Sequence, residues 1–314
     1  MINVSGRRRK IRNGLYRYSA SSVELKLCRF RYHGGISFGV LRGGSLYDLT
    51  GVDRVAFKDL ASAYERSGAD VGAMVSLLEV AVKGAEKMSY DESLLEIPLE
   101  SMEIWAAGVT YLRSRVARET ETSSKGIYDR VYEATRPELF LKDTGLRCRG
   151  PGKEVCIRSD SEWSVPEPEL TVVLDERARV VGYTVGNDVS SRDIEGENPL
   201  YLPQAKVYRG SSAIGPVIVT PEEVGDPRAL DIEMKILRGG KVAFEGSVNT
   251  SQMKRSIEEL AGYLSRDNIL RRFTLLMTGT SIVPPDEFTL RGGDIVEVEV
   301  RGIGVLRNYV KKLS

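Results

Sequence analysis

Glu167 and Glu169 stand two residues apart in Val165-Pro166-Glu167-Pro168-Glu169-Leu170-Thr171-Val172-Val173-Leu174-Asp175. In extended chain, residues i and i+2 project to the same face. Pro168 disfavours helix at Glu167 and favours extended backbone there. The two carboxylates are therefore expected side by side at the start of an apolar strand. A second run, Val180 to Asp188, offers a partner strand. If Glu176 to Arg179 form a four-residue loop that pairs Asp175 with Val180, antiparallel counting sets Asp188 opposite Glu167, on the same face. A slip of one residue would turn Asp188 away. Three carboxylates at one point repel strongly unless a cation sits among them. An all-oxygen ligand set selects Mg²⁺, Mn²⁺ or Ca²⁺. The same residues would also suit a solvated strand end, so the pattern by itself leaves both readings open.

Downstream features sharpen the choice. Lys206 lies in Gln204-Ala205-Lys206-Val207-Tyr208, and Gly210-Ser211-Ser212-Ala213-Ile214-Gly215-Pro216 is a small-residue turn that lets backbone approach a ligand. Thr278-Gly279-Thr280 follows an apolar strand in the same manner. Histidine is the informative scarcity: the chain has one, His33, in a turn-like Arg31-Tyr32-His33-Gly34-Gly35. A His-rich zinc site is excluded, and any triad would have to run through that one residue. Acid–base work is expected from carboxylates, lysine, a metal ion or water.

The elements that must carry these groups are short. Residues near 23–50 alternate apolar and polar around Gly34-Gly35 and Gly43-Gly44, which predicts a small antiparallel β unit. Residues 57–88 turn helical, and a boundary is placed near residue 95. Residues 125–137 read as a charged amphipathic helix ended by Pro137. Hairpins are expected at 169–175 with 180–189 and at 229–238 with 241–249, a helix at 252–266, and strands at 273–278 and 294–301. Strands and helices do not alternate strictly, so the class is α+β and not a doubly wound parallel sheet.

The chain has 314 residues, 45 Lys plus Arg against 44 Asp plus Glu, and a net charge of +1. That argues against the basic footprint of a nucleic-acid binder. No apolar stretch reaches the roughly 18–20 residues of a membrane span. Three cysteines without CxxC spacing suit a reducing, cytoplasmic compartment. Residues 1–20, with Arg7-Arg8-Arg9-Lys10, are expected as a basic, disordered tail lacking the apolar region of a secretory signal. The expected organisation is a tail at 1–20, a small N-terminal domain at 21–95 and a catalytic, metal-binding domain at 96–314.

Taken in order, the motifs resemble the fumarylacetoacetate hydrolase superfamily. They are Glu167-Pro168-Glu169, Asn187-Asp188-Val189-Ser190-Ser191-Arg192-Asp193, Lys206, and Gly215-Pro216-Val217-Ile218-Val219-Thr220. Thr278-Gly279-Thr280, Gly293-Asp294-Ile295-Val296-Glu297-Val298-Glu299 and Gly302-Ile303-Gly304-Val305-Leu306-Arg307-Asn308 complete the series. The resemblance spans about residues 103–310. Within it, Arg136-Pro137-Glu138-Leu139-Phe140, Arg158-Ser159-Asp160-Ser161-Glu162-Trp163 and Glu197-Asn198-Pro199-Leu200-Tyr201-Leu202-Pro203-Gln204 resemble the branch that dehydrates 2-keto-3-deoxy-D-arabinonate.

The resemblance implies a small N-terminal α/β domain, a catalytic domain of rolled mixed β-sheet, and a homo-oligomer. It implies that Glu167, Glu169 and Asp188 hold Mg²⁺ or Mn²⁺, that Lys206, Thr280 and Phe140 face a small 2-keto acid, and that Glu138 is a further acidic group of the pocket. The implied activity is elimination of water from 2-keto-3-deoxy-D-arabinonate, or a close relative, to give 2,5-dioxopentanoate. Lys206 and Glu138 are both candidates for the base. Arg192 and Asp193 read as an ion pair holding their loop. Hydrolases of the superfamily activate water with a His–Glu pair in a short lid. The lid-like stretch here, about 111–136, offers Arg113, Arg115, Glu119, Glu121 and Glu133 instead. Acylpyruvate hydrolysis and oxaloacetate decarboxylation are the alternative activities, and a ligand-binding module on the same fold is the non-enzymatic one.

Overall fold

A computed structural model describes residues 25–100, 103–122 and 125–314, so the basic tail expected at 1–20 lies outside the described residues. Two sheets carry the molecule. The larger runs, neighbour by neighbour, through Glu86–Ser89, Ser45–Asp48, Gly35–Arg42, Lys26–Tyr32, Ser212–Val219, Val180–Asp188, Pro168–Leu174, Thr274–Met277, Ile104–Gly108 and Glu138–Asp143. A two-residue strand, Leu95–Glu96, also pairs with Lys26–Tyr32. The second sheet has five strands, Lys241–Asn249, Asp231–Arg238, Ile295–Val300, Gly304–Lys312 and Glu154–Ile157. Most pairings are antiparallel; Thr274–Met277 with Ile104–Gly108 and Gly304–Lys312 with Glu154–Ile157 are parallel. The sheets are thus mixed, as the α+β expectation requires.

The N-terminal β unit joins the larger sheet where Lys26 and Leu27 pair with Val219 and Ile218. Helices α1 (Leu60–Arg66) and α2 (Val71–Val82) follow, each capped by an aspartate whose side chain accepts a backbone N–H, Asp59 from Ser62 and Asp70 from Ala73. The helical stretch ends before the expected residue 88, because residues 86–89 pair as a strand with Ser45–Asp48.

The apolar run Leu170–Leu174 is buried on both faces, as a central strand must be. Leu170, Val172 and Leu174 pack in a core with Ile232, Met234, Val296 and Val298 of the second sheet. Val173 packs on the other face, in a core with Leu60, Met74 and Leu78 of α1 and α2. Glu167, Glu169, Thr171 and Val173 share that second face by parity.

The register of the central hairpin decides the site. Glu169 pairs with Gly186 and Pro168 with Asn187, and the Asp188 N–H donates to the Glu167 carbonyl at 2.9 Å. Asp188 therefore lies opposite Glu167, as counted from the sequence. The turn itself differs from expectation. The Asp175 N–H donates to the Arg179 carbonyl at 3.0 Å, so Asp175 faces Arg179 and not Val180, and the loop has three residues. A β-bulge beside Leu174 inserts one residue and restores the register.

The remaining cover comes from α3 (Leu112–Glu121), α4 (Ile127–Glu133), α5 (Arg192–Glu197) and α6 (Leu202–Lys206). The helix expected at 125–137 is shorter, because its last residues run into Glu138–Asp143. The helix expected at 252–266 is Ile257–Ser265, preceded by a 3₁₀ turn at Thr250–Gln252, with Ile257, Leu260, Ala261 and Leu264 buried as their spacing implies.

Candidate metal centre and cleft

Two strand ends and one turn bring the acidic groups together. Glu167, Glu169 and Asp188 are buried, and each offers an oxygen within 4.8 Å of the others. Glu169 is seated by the turn after Thr274–Met277, where the Gly279 N–H donates to its Oε2. Gly279 has φ +94, and a Cβ there would lie 2.0 Å from Thr110 Oγ1. Only glycine fits this turn, and its fit aims the N–H at the carboxylate. Thr110 Oγ1 completes the turn by donating to the Thr278 carbonyl at 2.7 Å.

Lys206 ends α6, and its ammonium lies among these groups. Nζ donates to Glu167 Oε2 at 2.8 Å, Asp188 Oδ2 at 3.0 Å and Ser190 Oγ at 2.6 Å. Its tip also lies 5.7 Å from the centre of the Phe140 ring.

Strand Glu138–Asp143 sends Glu138, Phe140 and Lys142 to one face by its period of two. Glu138 sits over Gly108, its partner in the ladder; a Cβ at Gly108 would lie 2.2 Å from Glu138 Oε2. The missing side chain thus makes the space that the Glu138 carboxylate occupies. Lys142 is fully buried. Its Nζ meets Asp188 Oδ1 at 2.6 Å, donates to the Val189 carbonyl at 3.0 Å and also to the Lys206 carbonyl.

The electrostatics follow from burial and neighbours. Burial alone would raise the Glu167 carboxyl, but Lys206, Arg118 and Arg192 outweigh it and hold it well below the usual range. Glu169 goes the other way: burial first, then the Asp188 and Glu167 charges, push its carboxyl well above that range. Burial also raises Glu138, more than Arg118 and Lys206 lower it. Lys142 is pushed down by burial against the pull of Asp188.

A narrow cleft opens on this cluster. Glu138, Phe140, Glu167, Asp188, Lys206 and Thr280, all expected from the sequence, line it together with Arg118, Tyr128 and Glu195. Thr280 Oγ1 accepts the Ile282 N–H at 3.2 Å. Three hard carboxylate donors, Glu167, Glu169 and Asp188, converge there. That donor set fits one divalent cation of the Mg²⁺ or Mn²⁺ type.

Several groups differ from the sequence reading. Arg192 and Asp193 do not pair with each other. Arg192 Nη1 meets Glu121 at 2.5 Å and Nη2 meets Glu167 at 3.0 Å, while Asp193 accepts from Ser161 Oγ and the Glu162 N–H. Of the lid residues, Glu121 reaches the cluster through Arg192. Arg113 donates to the Val283 carbonyl, Arg115 pairs with Asp129, and Glu133 pairs with Lys254. Glu119 accepts from Gly126 N–H and Tyr128 N–H and so tethers the start of α4. His33 lies in the hairpin turn beside Tyr32 and does not line the cleft.

Lys142, Arg118 and Glu195 were not expected. The signal for Lys142 was available: it continues the Glu138, Phe140 parity by one more step. Arg118 and Glu195 carried only helical spacing, which on its own does not distinguish a cleft from solvent.

A model of the fumarylacetoacetate hydrolase C-terminal region matches residues 103–311. The chain belongs to the fumarylacetoacetate hydrolase family. All of the cleft's lining falls within that family region. Two relatives from the family are similar over most of the chain. A probable 2-keto-3-deoxyxylonate dehydratase of Haloferax volcanii is 47% identical over 271 residues, 86% of this chain and 93% of its own length. A 2-dehydro-3-deoxy-D-arabinonate dehydratase of Saccharolobus solfataricus is 51% identical over 219 residues, 68% of this chain and 74% of its own. Among solved structures of the family, 2-keto-3-deoxy-D-arabinonate dehydratase complexed with magnesium and 2,5-dioxopentanoate superposes with a TM-score of 0.78. It is 39% identical, over 92% of this chain and 99% of that one.

Proposed function

We propose that this protein is a Mg²⁺-dependent hydro-lyase that converts 2-keto-3-deoxy-D-arabinonate to 2,5-dioxopentanoate and water, with Glu167, Glu169 and Asp188 as the metal ligands. The observation that carries the reading is the buried, oxygen-only triad beside Lys206 and Glu138, in a chain similar over nearly its whole described length to a dehydratase solved with magnesium and that product. The xylonate and arabinonate names of the two relatives lead to one carbon skeleton. With a ketone at C2 and CH₂ at C3, only C4 remains a stereocentre.

When bound at the triad, Mg²⁺ supplies Lewis-acid polarisation of the substrate's keto-acid end. Lys206 borders the triad, and a divalent cation bound there would replace its ammonium as the counter-charge and leave the amine to take a C3 proton. Glu138, whose carboxyl is raised by burial, gives its proton to the departing C4 hydroxyl, which leaves as water. A C3–C4 double bond remains. The Glu138 carboxylate then takes a C5 proton, and Lys206 returns its proton to C3. The C4–C5 enol so formed relaxes to the C5 aldehyde, and both residues are back in their starting states. Phe140 and Thr280 line the cleft and face the substrate chain. A homo-oligomer in the cytoplasm belongs to the same proposal; light scattering of the purified protein tests the first part.

The test is incubation with 2-keto-3-deoxy-D-arabinonate and Mg²⁺, with an aldehyde dehydrogenase reporting product. Aldehyde that disappears in EDTA and in Glu167→Gln is the expected result. No aldehyde, together with pyruvate released from an acylpyruvate or oxaloacetate, would replace the reading with hydrolase or decarboxylase activity. Ligand-induced thermal shifts without any turnover would make the protein a binding module.

A further inference from the structure

Helices α3 and α5 carry the same spacing, an arginine followed three residues later by a glutamate: Arg118 and Glu121 on one, Arg192 and Glu195 on the other. Such pairs share a helix face. The two helices cross-connect them. Arg118 Nη1 pairs with Glu195, and Arg192 Nη1 pairs with Glu121 Oε2 at 2.5 Å. The second nitrogen of each guanidinium then converges on a single atom, Glu167 Oε1, at 2.8 Å from Arg118 and 3.0 Å from Arg192. No side chain in this ring is more than 10% exposed.

We propose that Glu121 and Glu195 are positioning residues for Glu167, acting through Arg192 and Arg118 to fix the rotation of its carboxylate. The terminal torsion of a glutamate is broad, so rotamer preference alone does not orient its oxygens. Two charge-assisted bonds on Oε1 do. They turn Oε2 inward, where Lys206 meets it at 2.8 Å on the side of Asp188. The planar guanidinium makes the coupling directional: an arginine held at one nitrogen by a carboxylate has its other nitrogen aimed in a set direction. Each glutamate also supplies the counter-charge that keeps its arginine in place. The lid helix is thereby tied to one specific ligand oxygen, and not only to the surface of the cleft.

The inference rests on the reading of Glu167 as a metal ligand, and its test separates the two. Mn²⁺ is titrated calorimetrically into the full-length protein, well below its melting temperature. The proteins compared are wild type, Glu121→Gln, Glu195→Gln and the double variant, with Arg115→Gln as a control, since Arg115 pairs with Asp129 of α4 and not with the ring. Each single variant is expected to weaken binding about tenfold and the double variant up to about a hundredfold, the range seen when partners behind a metal ligand are removed. Arg115→Gln is expected to bind as wild type. Where a Gln variant does not fold, Glu121→Asp and Glu195→Asp keep the charge with a shorter reach and should give a smaller loss. Wild-type affinity in the folded variants overturns the proposal, because a purely structural ring would change melting but not binding. Absence of Mn²⁺ binding in the wild type overturns the metal site itself and the proposal with it.

Discussion

Lys142 is the cation in this site with no access to solvent, and its three donors are all committed to Asp188, Val189 and Lys206. It therefore ties the end of one strand to the backbone of the residue proposed as the base. Removing one partner from a buried pair costs about 3–5 kcal/mol where the other charge is left uncompensated; Lys206 still meets Asp188 at 3.0 Å, which places the loss at the low end of that range. Lys142→Met is expected to lose stability in that range by denaturant unfolding; a loss under about 1 kcal/mol would mean that Asp188 is neutralised by another route. Glu138 carries the prediction on pH. Burial raises its carboxyl, so it holds its proton above the ordinary carboxylate range. In its proposed role as the acid for the leaving hydroxyl, it works only while protonated. The profile of kcat should fall as pH rises through that raised value. A limb that falls only toward acid would assign Glu138 as a base instead.

Turns and caps, more than strands, aim the groups. Strand parity sets Glu167, Glu169 and Asp188 on one face, but Glu169 is oriented by the Gly279 N–H. Gly279→Ala would force a side chain at φ +94 into Thr110 and the Ala107 carbonyl. The turn must open, and its N–H moves off Glu169. Weaker Mg²⁺ binding is expected, together with a stability loss of about 1–3 kcal/mol for strain at such a backbone position. Calorimetric titration and thermal melting of the variant check the two parts; unchanged Mg²⁺ affinity would show that the turn does not aim Glu169. The hairpin bulge beside Leu174 works similarly. A three-residue turn alone would shift the pairing by one, and the inserted residue cancels that shift before it reaches Asp188.

The larger sheet joins the N-terminal strands to those that carry the carboxylates, and polar ties reinforce the junction. Tyr64 of α1 donates to Asp175 at 3.1 Å, and Arg179 meets both. The site's charge balance should therefore be felt in global unfolding. Glu167 titrates lower in the fold than in the unfolded chain. Its contribution to stability is in place above the ordinary glutamate value, about 4.3. It is lost as pH falls through the lowered value. In EDTA, the melting temperature of the wild type should rise from about pH 3 to pH 5, and more steeply than that of Glu167→Gln. Equal slopes would mean that Glu167 is not held ionised by its three cations.

What could be read from the chain alone was local chemistry on a regular repeat. The two-residue period of a strand places Glu167 with Glu169, while Glu138 and Phe140 came from the family resemblance. The apolar runs show which strands are central, and ordered motifs across some two hundred residues identify the family. The position of Asp188 was also legible, although the counted loop was one residue too long and the bulge compensated. The tertiary structure decided what local periods cannot encode. Arg118 and Glu195 are 77 positions apart, and Arg192 and Glu121 are 71 apart. Their pairing depends on two helices meeting over Glu167. Nothing in a helical spacing tells which face will be desolvated, because burial is a property of the packed elements and not of the segment.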